Sequence, residues 1–130
     1  MSYPKQVIVM RRDLNMRKGK MVAQGAHAAM KVLLDGQIST CSNGCERVYE
    51  VTEAMRDWLE GNYTKVCCSV DSEAELDAVF NDAKEAGISC SMIVDKGLTE
   101  FNGVATKTCI AIGPDYPERI DHITGHLKLL

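Results

Sequence analysis

The chain has 130 residues, 45% of them hydrophobic and 25% charged, with a formal net charge of -3 at pH 7. That is enough for one domain, spanning 1–130, that buries roughly two thirds of the surface its unfolded form exposes. Three Pro and ten Gly, scattered rather than massed, exclude a disordered or low-complexity chain. A pI near 5.6 excludes a protein that coats nucleic acid through bulk positive charge.

The N-terminal "MSYPKQVIVM" contains only four consecutive apolar residues, and no later segment reaches the ~18 that suggest a membrane span. A cytoplasmic protein without membrane contact is therefore expected. The continuous apolar, β-branched run "QVIVMR" at 6–11 reads as a strand covered on both faces. It delivers the chain to "RRDLNMRKGK", where Arg11, Arg12, Arg17, Lys18 and Lys20 place five of the 15 Lys and Arg residues within ten positions. From Lys20 to Leu34 the composition becomes strongly helical, without proline. Val22, Ala26, Ala29 and Leu33 recur at helical spacing as an apolar face, and Lys20, Gln24, His27 and Lys31 as a polar stripe. The small residues Gly25, Ala26, Ala28 and Ala29 predict close approach to a sheet.

Residues 35–49 carry turn chemistry at Asp-Gly and Asn-Gly. A short helix is predicted over Val51 to Glu60, with Val51, Ala54, Met55, Trp58 and Leu59 inward and Gly61 ending it. A second strand follows at 64–70. Ser72 with Glu75 then forms a capping box, before a helix that uses Leu76, Val79, Phe80 and Ala83 and stops at Gly87. Strands at 88–95 and 108–113 flank a loop from Lys96 to Lys107, and Pro117 opens a last helix running to Thr124. Strands separated by helices predict an α/β fold with helices on both faces of the sheet. The return after Asp95 has no helix, so an antiparallel pair there would make the sheet mixed.

Cys67, Cys90 and Cys109 lie in apolar, β-prone runs, where a reduced thiol acts as a small hydrophobe. Cys41 and Cys45 are separated by three residues but lack the second pair that would complete a zinc site, and His122 with His126 lacks a third ligand. No metal is expected. "RKGK" lacks the glycine spacing and the following Ser or Thr of a nucleotide-binding P-loop. Basic side chains at a helix start still attract phosphate, with a solvated charge run as the competing reading. Asp95, Thr99 and Thr108 frame the later loop. A carboxylate there can orient water and hydroxyls can assist it, while plain turn chemistry at Asp-Lys-Gly is the alternative. If the first and third strands are parallel neighbours, the basic cluster and "DKGLT" share one rim of the sheet, where ligands of open α/β sheets bind.

"RRDLNMRKGKMVAQGAHAAM" resembles the N-terminal signature of the type 2 peptidyl-tRNA hydrolase family, R-x-D-L-K-M-G-K-G-K followed by A-Q-x-x-H-A. The resemblance returns in "VDKGLTEF", "TCIAIGP" and "ITGHLKLL", in family order, and covers most of the chain outside 35–62. It implies a single three-layer α/β/α domain with a mixed four-stranded sheet, often a homodimer, and no cofactor. The implied activity is hydrolysis of the ester between peptide and tRNA 3' end, with peptidyl-tRNA as the partner. A non-catalytic tRNA- or protein-binding module on the same fold is the rival reading, and a cysteine-based metal or redox protein a third. Carried over by motif, Lys18, Asp95, Thr99 and Thr108 are the expected catalytic residues and Lys20, Gln24 and His27 expected substrate contacts, with Arg11 and Arg17 of the same basic run expected beside them as substrate contacts. Arg17 departs from the usual glycine, Leu98 stands where a basic residue is common, and the loop before Thr108 is one residue longer.

Overall fold

The computed structural model describes residues 2–41, 43–98 and 100–130. In chain order these form β1 (Lys5–Arg11), α1 (Lys18–Leu34), β2 (Gln37–Thr40), β3 (Arg47–Tyr49), α2 (Glu53–Glu60), β4 (Lys65–Val70), α3 (Glu73–Glu85), β5 (Cys90–Asp95), β6 (Thr106–Asp115), α4 (Pro117–Thr124) and β7 (Lys128–Leu129). The main sheet is mixed, with strand order β5-β6-β1-β4-β7. β1 and β4 run parallel, whereas the β1–β6, β5–β6 and β4–β7 pairs are antiparallel. Among the described residues, no helix is long and apolar enough to cross a membrane.

Successive strand residues point to opposite faces, and β1 divides its side chains accordingly. Val7 and Val9 join Cys68, Val70 and Ile110 in a core completed by Leu76, Val79 and Ala83 of α3 and Ile120 and Ile123 of α4. Ile8 and Met10 join Cys109 and Ala111 in a second core under Ala28 and Val32 of α1. The predicted cap forms, Ser72 Oγ accepting from the Glu75 amide at 3.1 Å, and Thr52 Oγ1 caps α2 by accepting from the Met55 amide at 3.1 Å.

Four expectations need correction. The main sheet has five strands rather than four, because β7 adds two residues beside β4, too short a run for periodicity to show. The 35–49 segment, read as turns, contains the β2–β3 hairpin. β1 and β5 are not neighbours, since β6 lies between them; both are antiparallel to β6, so their carboxyl ends still share one rim. The short helix begins at Glu53 and leaves Val51 half-exposed.

The largest difference concerns α1. Its buried residues are Gln24, Gly25, Ala28 and Val32, while Val22 and Ala26, expected inside, are exposed. At 100° per residue the helix is turned by roughly a third of a revolution from the expected orientation. An added Cβ on Gly25 would meet Met10 Cε at 3.8 Å and Ile8 Cδ1 at 3.9 Å, ordinary van der Waals contact. The sheet therefore does not demand glycine there, and Gly25→Ala is expected to stabilise the protein by about 0.4–1 kcal/mol. A urea midpoint that falls instead of rising would contradict this packing.

Candidate active site

Three elements end or begin at the rim shared by β1 and β5. β5 ends at Asp95, β6 enters through Thr108, and the first turn of α1 presents Lys20. Lys20 Nζ donates to Asp95 Oδ1 at 2.8 Å, with each side chain about five-sixths buried. Gln24, one helical turn along α1, donates through Nε2 to the same Oδ1 at 3.3 Å. Its Oε1 accepts from the Thr108 hydroxyl at 2.5 Å. Thr108 is fully buried, so its hydroxyl acts on this cluster through Gln24 and does not face the cleft.

The second Asp95 oxygen does different work. Oδ2 accepts the Gly97 amide at 2.8 Å, and Gly97 has φ +79°, with the space for a Cβ taken by Val104 O at 2.3 Å. Only glycine satisfies both demands. The turn reading and the polar-site reading of Asp95 are thus compatible, one on each oxygen.

The Lys20 ammonium, donating a hydrogen bond, holds the Asp95 carboxyl below its ordinary value, aided by the Gly97 amide and against the opposing effect of burial. A carboxylate so stabilised is a poor proton acceptor. It suits holding Lys20 and accepting a hydrogen bond from water.

The cluster lines a cleft of about 330 Å³ with His27, Ile93, Lys96 and Leu98. His27 is exposed on the Lys20 flank of α1, and the Phe101 ring centroid is 5.8 Å from Lys20 Nζ. Lys18 lies elsewhere. Two residues along a helix is 200°, and Lys18 stands exposed on the opposite flank beside a groove of about 580 Å³ formed by Met21, Val22, Ala26, Lys65, Cys67 and Leu130. That groove is larger but almost wholly apolar; convergent polar groups, which orient a substrate, are in the smaller cleft.

Arg11 is engaged by its own surroundings. Its guanidinium donates to both Asp13 oxygens at 3.1 and 2.7 Å and to the Lys107 carbonyl at 3.0 Å, tying β1 to β6. Arg17 is nine-tenths exposed, 3.9 Å from Glu100, a separation at which an exposed pair contributes little. It precedes α1 as an N-cap without a side-chain hydrogen bond. Thr99 lies outside the described residues. Lys96, Phe101 and Gly97 do not stand out in the sequence as site residues; the glycine two places after Asp95 carries the available signal.

Thr108→Val keeps the shape but leaves Gln24 Oε1 buried without a donor, and is expected to cost about 1–3 kcal/mol. Urea unfolding reads the loss, and an unchanged midpoint would show that this bond contributes nothing.

Comparison with known proteins agrees with the motifs. The family model described as peptidyl-tRNA hydrolase PTH2 matches residues 4–130. The chain is 44% identical over 126 residues to the peptidyl-tRNA hydrolase of Methanocaldococcus jannaschii, covering 97% of this chain and 99% of the relative. It is 43% identical over 127 residues to that of Methanothermobacter thermautotrophicus, with the same coverage. Identity is 42% over 126 residues to that of Sulfurisphaera tokodaii, covering 97% and 98%. With the family model matching nearly end to end and relatives above 40% identity covered over almost their whole length, the chain belongs to the peptidyl-tRNA hydrolase PTH2 family.

Proposed function

We propose that this protein hydrolyses the ester joining a peptide to the 3' end of tRNA, releasing peptide and reusable tRNA. The observation that carries this reading is the largely buried Lys20–Asp95 pair at 2.8 Å, open on one side to a cleft at the start of α1. An ester needs no strong base. Water held in line and charge placed where the oxyanion develops suffice to lower the barrier substantially.

In this reading Asp95 accepts a hydrogen bond from the attacking water while keeping Lys20 in place. Lys20 meets the developing oxyanion or the terminal phosphate. Gln24, its amide oriented by the Thr108 hydroxyl, keeps Asp95 Oδ1 aimed into the cleft. Thr99 keeps the role its motif implies, beside the water. His27 contacts the substrate from the cleft wall. Lys18 and Arg17, exposed around the uncapped start of α1, draw the tRNA backbone, and free amides at a helix start favour the same phosphates. Arg11 contributes indirectly, by holding the rim.

The chain acts as one domain in the cytoplasm, its two cores supporting a three-layer arrangement. The homodimer implied by the family resemblance belongs to the same proposal. Its face is the apolar groove beside Val22 and Ala26, and a sedimentation mass of 14.3 kDa at micromolar concentration would count against that part.

The test is incubation with a peptidyl-tRNA beside an unacylated tRNA control, following release of intact tRNA. Turnover is expected. Binding to both RNAs with no release would instead establish a binding module.

A further inference from the structure

The β2–β3 hairpin lies in the segment outside the family motifs, and the reaction uses none of it. Thr40 pairs with Arg47, and the tip is closed by the Cys41 amide donating to the Glu46 carbonyl at 2.8 Å. Inside it, the Glu46 amide donates to Cys41 Sγ at 3.0 Å. The side-chain oxygen of Asn43 accepts from the Cys45 amide at 3.0 Å and lies 2.5 Å from Cys41 Sγ. Cys45 is exposed and Cys41 half-exposed, and neither is in a disulfide.

These contacts fix how close the thiols are. The Glu46 nitrogen is bonded to the carbonyl carbon of Cys45, so backbone dimensions put Cys41 Sγ within about 5.5 Å of the Cys45 Cα. That is within the reach of a disulfide once both side chains turn toward each other, Cys45 Sγ leaving its 3.9 Å contact with the Asn43 carbonyl. Among the described residues, no group of three or more His, Cys, Asp or Glu side chains is arranged to hold a metal ion, so two thiols fall short of the four ligands of a structural zinc.

The remaining cysteines offer no comparable pair. Cys68, Cys90 and Cys109 are buried, and Cys67 is exposed but adjacent to Cys68, which faces the other side of the sheet. Their chemistry also differs. Burial pushes Cys90 up to about 12 and Cys109 up to about 11, whereas the Glu46 amide draws the Cys41 thiol below its usual value.

We propose that Cys41 and Cys45 form a reversible dithiol–disulfide site at the hairpin tip, oxidised by exchange with a low-molecular-weight disulfide. The Cys41 thiolate attacks the external disulfide, forming a mixed disulfide and expelling one thiolate. Cys45, as thiolate, then attacks Cys41 Sγ and expels the second. Two protein thiols are oxidised, one external disulfide is reduced to two thiols, and the two protons lost by Cys41 and Cys45 are taken up, through solvent, by the two expelled thiolates. A small external thiol reverses the sequence, as expected of a site in a reducing compartment.

The full chain is incubated with oxidised glutathione at pH 7, quenched by acid, alkylated and digested with trypsin. Cleavage after Lys31 and Arg47 yields a peptide, 32–47, whose only cysteines are Cys41 and Cys45. The expected product is that peptide lacking two hydrogens, returned to the dithiol by dithiothreitol. Cys45→Ser is expected to stop at a glutathione adduct on Cys41, and Cys41→Ser to slow modification of the hairpin by at least about tenfold. Two free thiols in the wild-type peptide, two separate adducts on it, or a Cys45→Ser adduct forming no faster on Cys41 than on Cys67 would overturn the proposal. Circular dichroism confirms that each variant is folded before it is compared.

Discussion

Lys20→Ala is expected to slow single-turnover release of tRNA by about 10²–10³-fold, the usual consequence of losing one group aimed at a developing oxyanion. Lys18→Ala is expected to act differently. Lys18 lies on the far flank of α1, exposed beside the apolar groove, and cannot reach the carboxylate that Lys20 holds. Its removal should weaken tRNA binding and reduce the slope of log K against log salt by about 0.7 for each phosphate it neutralises, leaving the rate at saturating enzyme within about threefold. Kinetics at several salt concentrations separate the two lysines. Equal losses of the saturated rate in both variants would remove the basis for assigning the oxyanion role to Lys20. Lys20→Ala also strands Asp95 largely buried without its cation, so thermal unfolding must accompany the kinetics. A rate loss without loss of the folded state is the informative result.

Asp95→Asn should reduce the rate by a comparable factor, about 10² or more, although Asn preserves the volume and an acceptor for the Gly97 amide. The missing charge no longer fixes Lys20. The pH profile supplies the sharper test. In the folded protein the Asp95 carboxyl titrates below its ordinary value, chiefly because Lys20 donates to it. The carboxylate is therefore fully formed above the unfolded value of about 3.9. The stabilisation it contributes is lost only as pH falls through the lower folded value. On the acid side, log kcat/KM should stay flat from neutrality to about pH 4. An Asp95-dependent limb between pH 5 and 7, absent from Asp95→Asn, would show a raised carboxyl acting as general base, the opposite of what the Lys20 contact produces.

Much of this architecture is legible in the residues. "QVIVMR", the Ser72–Glu75 capping box and the Leu76, Val79, Ala83 spacing specify a strand and a helix through interactions a few residues long. Pro117 opens α4 where its fixed φ suits the first turn. The basic run and "VDKG" are visible as two chemical clusters, and the family motifs imply that they belong together. The β2–β3 hairpin escapes a reading of pattern because its strands carry exposed residues without a buried alternation. β7 escapes it because two residues show no period.

Which way α1 faces is beyond the sequence pattern. Val22, Ala26, Ala29 and Leu33 form a good apolar stripe, yet the sheet accepts the side bearing Gln24, Gly25 and Ala28. Gln24 goes inside because Thr108, 84 residues away, offers its buried hydroxyl there, and because Asp95 stands within reach of the same amide. A buried amide is tolerated only when such partners exist, and no count of spacings along one helix reveals them. The same rotation puts Lys20 on the carboxylate and Lys18 on the other flank. Short-range propensity and motif order are written locally, so the residues alone specify most of the elements, the family and the chemical groups available. Which lysine meets Asp95 is settled only by the folded chain, because it depends on a contact between residues 75 positions apart and on the side of α1 that such contacts turn to the sheet.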